Sequence, residues 1–213
     1  MKLILSFLAG GLLLVPLTGA QAATLTFAVT NNNDSGPGSL RAAVIANNAR
    51  TDGDRNLIIF KGEASDIALQ SELPIIKHRA EFQGRNKDTG VNITVRRLTS
   101  APKFRLFSFA ATVDANLTQF NLVGGSVEDK GGLIYNAGII DLRECTLTGG
   151  SAPQGGAIFN EAPATLFIVD STLAGNSGTT GGGIYNQGYT EVYGSLIANN
   201  IAQQGGGAAG VFL

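Results

Sequence analysis

The sequence predicts an all-β protein whose chain forms a right-handed parallel β-helix, a solenoid, behind an N-terminal cap of one strand and one helix. Two observations lead to this prediction. Glycine is abundant, at 29 of 213 residues, and the glycines recur at regular intervals. Short runs that alternate apolar and polar residues recur with the same period, which is typical of stacked repeats built from β-strands.

The repeat is clearest in three blocks that read Gly-Gly, a variable residue, Ile, an aromatic residue and Asn. They occupy residues 131–136, 155–160 and 181–186, so their starts are 24 and 26 residues apart. A fourth glycine cluster at residues 205–207 lacks the rest of the block, which predicts that the solenoid is incomplete at its C-terminal end. A leucine-rich repeat has a similar length, but its consensus is missing. The period fits one coil of a parallel β-helix, which hides its apolar face only by stacking on the next coil.

A second alternating run follows each block, and an earlier copy precedes the first one; these runs occupy residues 117–122, 142–147, 168–173 and 192–197. With a corner at Glu144, alternation predicts which side chains point inward: Ile140, Leu142, Cys145 and Leu147. It also predicts which point outward: Asp141, Arg143 and Thr146.

Cys145 is the only cysteine, and His78 is the only histidine. The chain therefore forms no intramolecular disulfide and has too few ligands for a Cys/His zinc site. In the repeat register Cys145 aligns with Phe120, Ser171 and Ser195. This column predicts a buried, unreactive thiol.

Asn136, Asn160 and Asn186 close the three blocks at the same turn. Asparagine can adopt a left-handed backbone conformation and hydrogen-bond the backbone of a bend. We predict that these side chains form a structural ladder from coil to coil. They take no part in chemistry, because an amide is neither an acid nor a good nucleophile.

The first residues have the features of a secretory signal peptide. Lys2 precedes an apolar run at residues 3–17, and residues 20–22 read Ala-Gln-Ala, a small-residue cleavage pattern. The run is shorter than the roughly 18 residues expected of a membrane-spanning helix. We predict export to the medium, the cell surface or the outer membrane, with the periplasm as an open alternative. The predicted divisions are a signal peptide at 1–22, an N-terminal cap at 23–54 and β-helix repeats at 55–213.

The charge pattern excludes one class of partner. Without Lys2, the 15 basic residues fall to 14, against 16 acidic residues, and the basic residues form no large cluster. Because nucleic-acid binding surfaces concentrate Lys and Arg, we expect no nucleic-acid partner.

On these repeats, the chain resembles exported bacterial β-helix proteins related to the polymorphic outer membrane protein and autotransporter-adhesin repeats. The resemblance rests on the three glycine blocks, on Asp-Ser-Gly-Pro-Gly-Ser-Leu-Arg-Ala-Ala at residues 34–43, and on Leu-Pro-Ile at 73–75 leading to Phe-Gln-Gly at 82–84. It covers nearly the whole mature chain. It implies that the N-terminal segment forms a strand and a helix that cap the first coil.

The residues of this segment lead to the same cap independently. Leu25, Phe27 and Val29 alternate as in a strand. Ser39 can cap a helix that carries Leu40, Ala43, Val44 and Asn47 on one side. A cap of this kind is needed because an open coil end exposes strand edges that promote association.

The chain departs from the family pattern at its C-terminus. Family members commonly continue for more coils and end in an outer-membrane barrel or another anchor, whereas this chain ends at Leu213. We expect a short secreted relative or a truncated fragment of a larger autotransporter-like protein. An open last coil would allow self-association.

Parallel β-helices also include polysaccharide lyases and glycoside hydrolases, which use clustered carboxylates. The best candidate here is Glu144 with Asp170, which share one corner on neighbouring coils, about 5 Å apart. Calcium takes six to eight oxygen ligands and no third acid aligns, so this is a weak calcium candidate against two solvated acids. We interpret His78 as an exposed residue and not as a general base. We predict no catalytic residue, no firm metal site and no cofactor.

Outward aromatic residues suggest a different function. Phe167, Tyr189 and Tyr193 are predicted to face solvent on neighbouring coils. Such a row can stack on sugar rings or contact a protein, although ordinary packing on a sheet is the competing interpretation. Together with the family resemblance, this aromatic row predicts a non-catalytic protein that acts in adhesion or surface display through its lateral face. A host or cell-surface glycan or protein is the expected partner, with outer-membrane association. A polysaccharide lyase or glycoside hydrolase is the alternative.

Overall fold

The computed structural model describes residues 24–210, together with the backbone of two short antiparallel strands, β1 (Phe7–Leu8) and β2 (Gly11–Leu12). Apart from these strands, the signal peptide predicted over residues 1–22 lies outside the described residues, as do residues 211–213. Within the described part of the chain, no helix has the length and apolar character needed to cross a bilayer.

The chain forms a right-handed parallel β-helix of about six turns, which confirms the predicted fold class. Three large sheets run along the solenoid, and we call them face 1, face 2 and face 3. Within each of them the strands are parallel, and strands that lie side by side come from neighbouring coils. In a complete coil the chain passes from face 3 to face 1 and then to face 2.

Face 1 contains β3 (Thr26–Val29), β4 (Asn56–Phe60), β6 (Ala80–Gln83), β9 (Asp114–Thr118), β12 (Ile139–Arg143), β15 (Thr165–Val169) and β19 (Tyr189–Tyr193). Face 2 contains β5 (Asp66–Leu69), β7 (Ile93–Arg97), β10 (Phe120–Val123), β13 (Thr146–Thr148), β16 (Thr172–Ala174) and β20 (Leu196–Ala198). Face 3 contains β8 (Phe107–Phe109), β11 (Ile134–Asn136), β14 (Ile158–Asn160), β18 (Ile184–Asn186) and β22 (Ala208–Gly210). Between faces 2 and 3 a narrow sheet pairs β17 (Ser177–Thr180) with β21 (Ile201–Gln204).

The predicted cap is present at the N-terminal end. β3 pairs in parallel with β4, and helix α1 (Leu40–Asn48) lies between them in sequence. Ser39 is the N-cap of the helix, and its hydroxyl accepts a hydrogen bond from the Ala42 amide at 3.2 Å. Leu40 and Val44 are fully buried in the same cluster as the side chains of the first coils. The helix therefore closes the interior of the solenoid.

Inward side chains alternate along each strand, as predicted. Ile140, Leu142, Cys145 and Leu147 are buried, whereas Asp141, Arg143 and Thr146 are partly or fully exposed. In the early coils the interior is aromatic, with Phe60 against Phe120 at 5.4 Å and Phe82 against Phe107 at 6.0 Å between ring centroids. Aliphatic residues fill the later coils. The core is thus continuous along the axis.

The two glycines that open each block are required for different reasons. The first has a positive φ, 67° at Gly155, which disfavours residues with a side chain. The second, such as Gly156, faces the backbone of the next coil. A Cβ there would lie less than 3.0 Å from the Gly182 and Ser177 carbonyl oxygens. The block therefore marks a bend and a close approach between coils.

The corner between faces 1 and 2 has a left-handed backbone. Gln119, Glu144, Asp170 and Gly194 occupy it on successive coils, with φ between 48° and 61°. This confirms the aligned corner column. The expectation of left-handed asparagines at residues 136, 160 and 186 is wrong, because these residues end strands of face 3 and none has a positive φ.

Candidate functional site

The three block asparagines form a buried row inside the solenoid. Asn136 Nδ2 donates to Asn160 Oδ1 at 2.7 Å, and Asn160 Nδ2 donates to Asn186 Oδ1 at 2.7 Å. Asn136 and Asn160 also donate to main-chain carbonyls of face 1, those of Thr165 and Tyr189, at 2.9 Å each. The row joins the turn of one coil to the next and exposes no group to solvent.

A second asparagine pair was missed by the sequence reasoning. Asn176 Nδ2 donates to Asn200 Oδ1 at 2.9 Å and to the Leu147 carbonyl at 3.0 Å, and Asn176 Oδ1 accepts from the Gly150 amide at 2.8 Å. The signal was available, since Gly150, Asn176 and Asn200 occupy one position of the repeat. This pair supports the turn after face 2.

Cys145 is buried, as predicted. Its amide donates to Ser171 Oγ at 3.0 Å, and the Ser171 amide donates to Ser195 Oγ at 3.0 Å, so the small-residue column is hydrogen-bonded through three coils. Burial raises the pKa of the Cys145 thiol to about 11. The thiol is therefore protonated at neutral pH and enclosed by protein.

The Glu144 and Asp170 carboxylates lie at the exposed corner between faces 1 and 2. Glu144 Oε2 accepts a hydrogen bond from Gln119 Nε2 at 3.0 Å. No group of three or more His, Cys, Asp or Glu side chains in the described residues is arranged to hold a metal ion. The corner thus offers two carboxylates, which falls short of the coordination that calcium requires.

The expectation that His78 is an exposed residue is wrong. Its side chain is buried because residues 50–55, which follow α1, fold back over it. Nε2 lies 2.7 Å from the Asp52 carbonyl oxygen, and Nδ1 lies 3.3 Å from Asn56 Nδ2. Asn47 of α1 donates to the His78 carbonyl at 3.1 Å. His78 therefore connects the cap to the first coils.

Face 1 carries the aromatic residues that the sequence singled out. Phe167 and Tyr189 meet edge to face, with ring centroids 6.2 Å apart, and Tyr193 is 73% exposed. Ile139, also exposed, lies on the same coil column as Tyr189. We call these four residues the face 1 patch. These aromatic and apolar side chains share the outer surface of face 1 with Asp141 and Glu191, which are the register partners of Phe167.

Face 3 carries an aromatic stack that the sequence reasoning missed. Tyr135, Phe159 and Tyr185 point outward on successive coils, with ring centroids 5.7 and 5.4 Å apart and planes within 2° and 8° of parallel. The signal was the aromatic position of the glycine blocks. Lys130 Nζ lies 4.4 Å from the Phe159 ring centroid. The rings cover one another: Phe159, in the middle, is fully buried, and Tyr135 and Tyr185 are half-buried.

Charged groups surround the N-terminal end of this stack. The Tyr135 hydroxyl donates to Glu161. Arg105 lies over the Tyr135 ring, with 5.3 Å from Cζ to the ring centroid, and donates to both Asp129 oxygens at 2.7 and 2.8 Å. Burial and the neighbouring Glu161 raise the pKa of Tyr135 to about 12. The tyrosine is therefore neutral at physiological pH.

A pocket of about 390 Å³ opens beside this end of the stack. We call it the Ser108 notch, and its lining includes Glu72, Ile75, Lys77, Arg105, Ser108 and Tyr135. A second concavity, a shallow groove of about 360 Å³, follows the serines that pair between faces 2 and 3, at residues 126, 151 and 177. The notch is the more enclosed of the two, and it combines charged and apolar side chains.

Most ion pairs join neighbouring coils and so satisfy charges within the solenoid. They include Arg79–Asp114 at 2.9 Å, Arg96–Asp66 at 2.8 Å, Lys103–Glu128 at 3.2 Å and Arg105–Asp129 at 2.7 Å. Exposed pairs of this kind contribute little to stability. Because these carboxylates are each paired with a base, few of the described acidic residues are free to act together as a catalytic cluster.

The fold and these surfaces define a right-handed parallel β-helix with aromatic residues on two lateral faces. No protein-family model, no curated protein and no solved structure matches the chain. The resemblance to polymorphic outer membrane protein and autotransporter-adhesin repeats therefore stays a prediction that rests on the quoted motifs.

Proposed function

We propose that this protein is a non-catalytic recognition protein, exported from the cell, that acts in adhesion or surface display through its lateral surface. The observation that carries the proposal is the face 1 patch, in which Tyr193 is largely exposed and Tyr189 and Phe167 contact each other on the same face. Aromatic residues are enriched at recognition surfaces because they bury a large area and lose little side-chain entropy.

The rigid sheet beneath the face 1 patch favours this function. β12, β15 and β19 pair along their whole length, so the outward side chains stand on a continuous hydrogen-bonded sheet. A surface that is already ordered loses little entropy on binding. The patch therefore suits a glycan or a protein on a cell surface, and the signal-peptide pattern supports export to reach it.

An enzymatic function has less support from the ionisable groups. Tyr135 lines the Ser108 notch, and the pKa of about 12 of its hydroxyl keeps that group protonated. A general base works best with a pKa near the operating pH. The two carboxylates at the Glu144 corner have no third acid beside them in the described residues, which is less than such enzymes use. A polysaccharide lyase or glycoside hydrolase is therefore the second candidate and not the first.

The last described coil supports a proposal of self-association. Within the described residues β20 and β21 are edge strands, and they carry Leu196 and Ile201, which are 57% and 72% exposed; an edge strand with apolar side chains pairs readily with an identical edge. Sedimentation velocity of the purified chain should show a dimer that Ile201→Lys dissociates. A monomer at all concentrations would contradict self-association alone and leave the face 1 proposal in place.

Cell fractionation tests the proposed location. Producing cells are separated into cytoplasm, periplasm, outer membrane and medium, and intact cells are treated with protease, with an antibody to the mature chain as the probe. We expect the protein in the medium or in a protease-accessible form at the surface. Confinement to the periplasm, protected from protease, would contradict a role in adhesion.

Adhesion of protein-coated beads tests the face 1 patch. Beads carrying the purified mature chain are applied to surfaces coated with mucin or fibronectin, under flow. The double variant Tyr189→Ser/Tyr193→Ser should lower bead retention at least tenfold, because it removes the exposed rings. Tyr185→Ser on face 3 is the matched control and should retain adhesion. Equal loss in both variants would contradict a role specific to face 1.

A further inference from the structure

The Ser108 notch exists because the aromatic column of face 3 is interrupted. Ser108 is the register partner of Tyr135, so a small side chain stands where later coils carry a ring. Ile76 pairs with Phe109, which places Ile75 beside Ser108 on the preceding coil. The notch is therefore bounded along the axis by Ile75 on one side and by the Tyr135 ring on the other.

One face of the Tyr135 ring is directed toward this space. Its opposite face stacks on Phe159, one coil further along, with the planes parallel within 2°. The remaining face points back toward the Ser108 coil, where Arg105 covers part of it. Ala110 and Ala137 also line the notch and add small apolar side chains to its wall.

Polar groups at the rim supply both kinds of hydrogen-bonding partner. Glu72 Oε1 accepts from Ser108 Oγ at 3.0 Å and lies 3.5 Å from Arg105 Nε. These contacts fix the carboxylate at the rim and involve only one of its two oxygens. Lys77 is exposed, and in the described part of the chain its ammonium group forms no ion pair. The notch thus has an anchored acceptor and a free donor.

We propose that the Ser108 notch binds one neutral pyranose unit of a glycan. A pyranose ring presents apolar C–H groups on its faces and hydroxyl groups at its edge, which match the Tyr135 and Ile75 walls and the Glu72 and Lys77 side chains. The volume of about 390 Å³ lies within the range of roughly 300–1,000 Å³ that small-molecule sites occupy.

The charges of the site select a neutral sugar over an acidic one. Glu72 and Asp129 balance Lys77 and Arg105: Arg105 donates from Nη2 to both Asp129 oxygens, and its Nε lies 3.5 Å from Glu72 Oε1. The carboxylate of a uronate would lie near Glu72, whose negative charge repels it, and the Arg105 guanidinium is already neutralised by its ion pairs with Asp129 and Glu72. A neutral hydroxyl instead donates to the carboxylate, which is a charge-assisted hydrogen bond.

This site lies on face 3 and goes beyond the face 1 function proposed above. Binding at the notch needs neither export nor the face 1 patch. A titration with purified protein therefore tests it separately. Failure of the titration would leave the adhesion proposal standing, and confinement of the protein to the periplasm would leave the notch proposal standing.

Isothermal titration calorimetry of the mature chain provides the test. The neutral probes are cellohexaose, maltohexaose, mannohexaose and chitohexaose, and tetragalacturonate is the acidic comparison. We expect one-to-one saturable binding of at least one neutral oligosaccharide and at least tenfold weaker binding of tetragalacturonate. Absence of saturable binding by all four neutral probes would overturn the proposal.

Variants locate the binding to the notch. Ala110→Trp fills it and should abolish binding, whereas Ala174→Trp, the same change at a half-buried position on face 2, should leave binding unchanged. Glu72→Gln should weaken the binding of neutral oligosaccharides about tenfold, since a charged acceptor is lost. It should also reduce the difference in affinity between the neutral oligosaccharides and tetragalacturonate. Lys77→Ala changes an exposed residue without risk to the fold and should also weaken binding. Unchanged affinity in Ala110→Trp with retained circular dichroism would overturn the assignment.

Discussion

Replacement of Gly156 by alanine tests the close approach between coils most directly. The residue lacks a positive φ, so alanine is compatible with its backbone conformation. Its Cβ, however, would lie less than 3.0 Å from the carbonyl oxygens of Gly182 and Ser177. Because both obstacles are backbone atoms of the next coil, no side-chain rotation relieves the overlap, and the coils must separate locally.

The cost follows from the hydrogen bonds that this separation strains. Gly156 N donates to the Gly181 carbonyl at 2.9 Å, and Ala157 N and Ile158 N donate to the Gly183 carbonyl at 3.0 and 2.9 Å. Each such bond contributes about 1 kcal/mol net, and buried overpacking costs roughly 1–3 kcal/mol. We expect Gly156→Ala to lower the free energy of unfolding by about 3–5 kcal/mol.

Two further glycines separate steric contact from backbone conformation. Gly175 has a φ of 65° and nothing within 4 Å of its would-be Cβ, so Gly175→Ala should cost about 1–2 kcal/mol. Gly53 has open space and no positive φ, so Gly53→Ala should change stability by less than about 0.5 kcal/mol. Urea unfolding followed by far-ultraviolet circular dichroism measures all three.

A different ranking would refute this reasoning. If Gly156→Ala is no more destabilising than Gly53→Ala, the coils do not approach as closely as the structure places them. If Gly156→Ala equals Gly175→Ala, backbone conformation alone explains the glycine blocks. Hydrogen exchange of the Ala157 and Ile158 amides provides an independent check, because these amides should lose protection in Gly156→Ala only.

Three other predictions follow from buried groups. Burial raises the pKa of the Cys145 thiol to about 11, above the value of roughly 8.5 in an unfolded chain, so the folded state retains this proton and stability falls as pH rises from about 8.5 to 11. Cys145→Ser, which reproduces the residue of the next coil, should reduce that fall, as measured by urea unfolding at several pH values. Asn160→Asp places a charge in a buried row and removes the donor amide, and it should cost about 3 kcal/mol or more at pH 7 in the same assay. Gly84→Ala should cost about 1–3 kcal/mol, because its Cβ meets the Phe120 ring at less than 3.0 Å, and Phe120→Leu should recover part of the loss in a double-mutant cycle.

Each of these predictions has a clear contrary result. Rapid alkylation of Cys145 in the native protein would show that the thiol is accessible. Asn121→Asp, at a partly exposed position of face 2, is the comparison for Asn160→Asp. If both changes lower the free energy of unfolding equally, the buried asparagine row has no special role in stability. If the effects of the Gly84 and Phe120 changes on the free energy of unfolding are additive, the Phe120 ring is not what excludes a Cβ at residue 84.

The sequence predicts most of the solenoid because repetition makes its geometry explicit. Once the glycine blocks are aligned, period-two alternation assigns Leu142 and Cys145 to the interior and Asp141 and Arg143 to the surface. Stacking in register then requires aligned residues to share an environment, which places Cys145 beside Ser171. The same alignment brings Phe167 next to Tyr189 on face 1.

The left-handed corner illustrates what local preference does not reveal. A positive φ is uncommon for residues other than glycine, glutamate included, and it costs roughly 1–2 kcal/mol. At this corner Glu144 N donates to the Val169 carbonyl at 3.1 Å and Asp170 N donates to the Tyr193 carbonyl at 3.0 Å. These inter-coil hydrogen bonds offset the local strain. Sequence preference pointed instead to the asparagines, whose amides are used inside the solenoid.

The Ser108 notch and His78 were beyond the reach of sequence reasoning for a different reason. Both lie in the early coils, where the chain lacks the glycine blocks that set the register. Their surroundings depend on segments of irregular length, such as residues 50–55 over His78 and residues 72–77 beside Ser108. Where repetition is absent, contacts between distant segments follow from tertiary packing alone.

The direction of the inter-coil hydrogen bonds gives the solenoid a particular response to force. These bonds run along the axis, so tension applied to the two ends opens them in succession and does not shear a whole sheet at once. Each released coil of 24 or 26 residues adds about 80–90 Å of contour length. When one molecule is pulled by its two ends, it should lengthen in small, regular steps. The coils that are still stacked should keep their structure between steps.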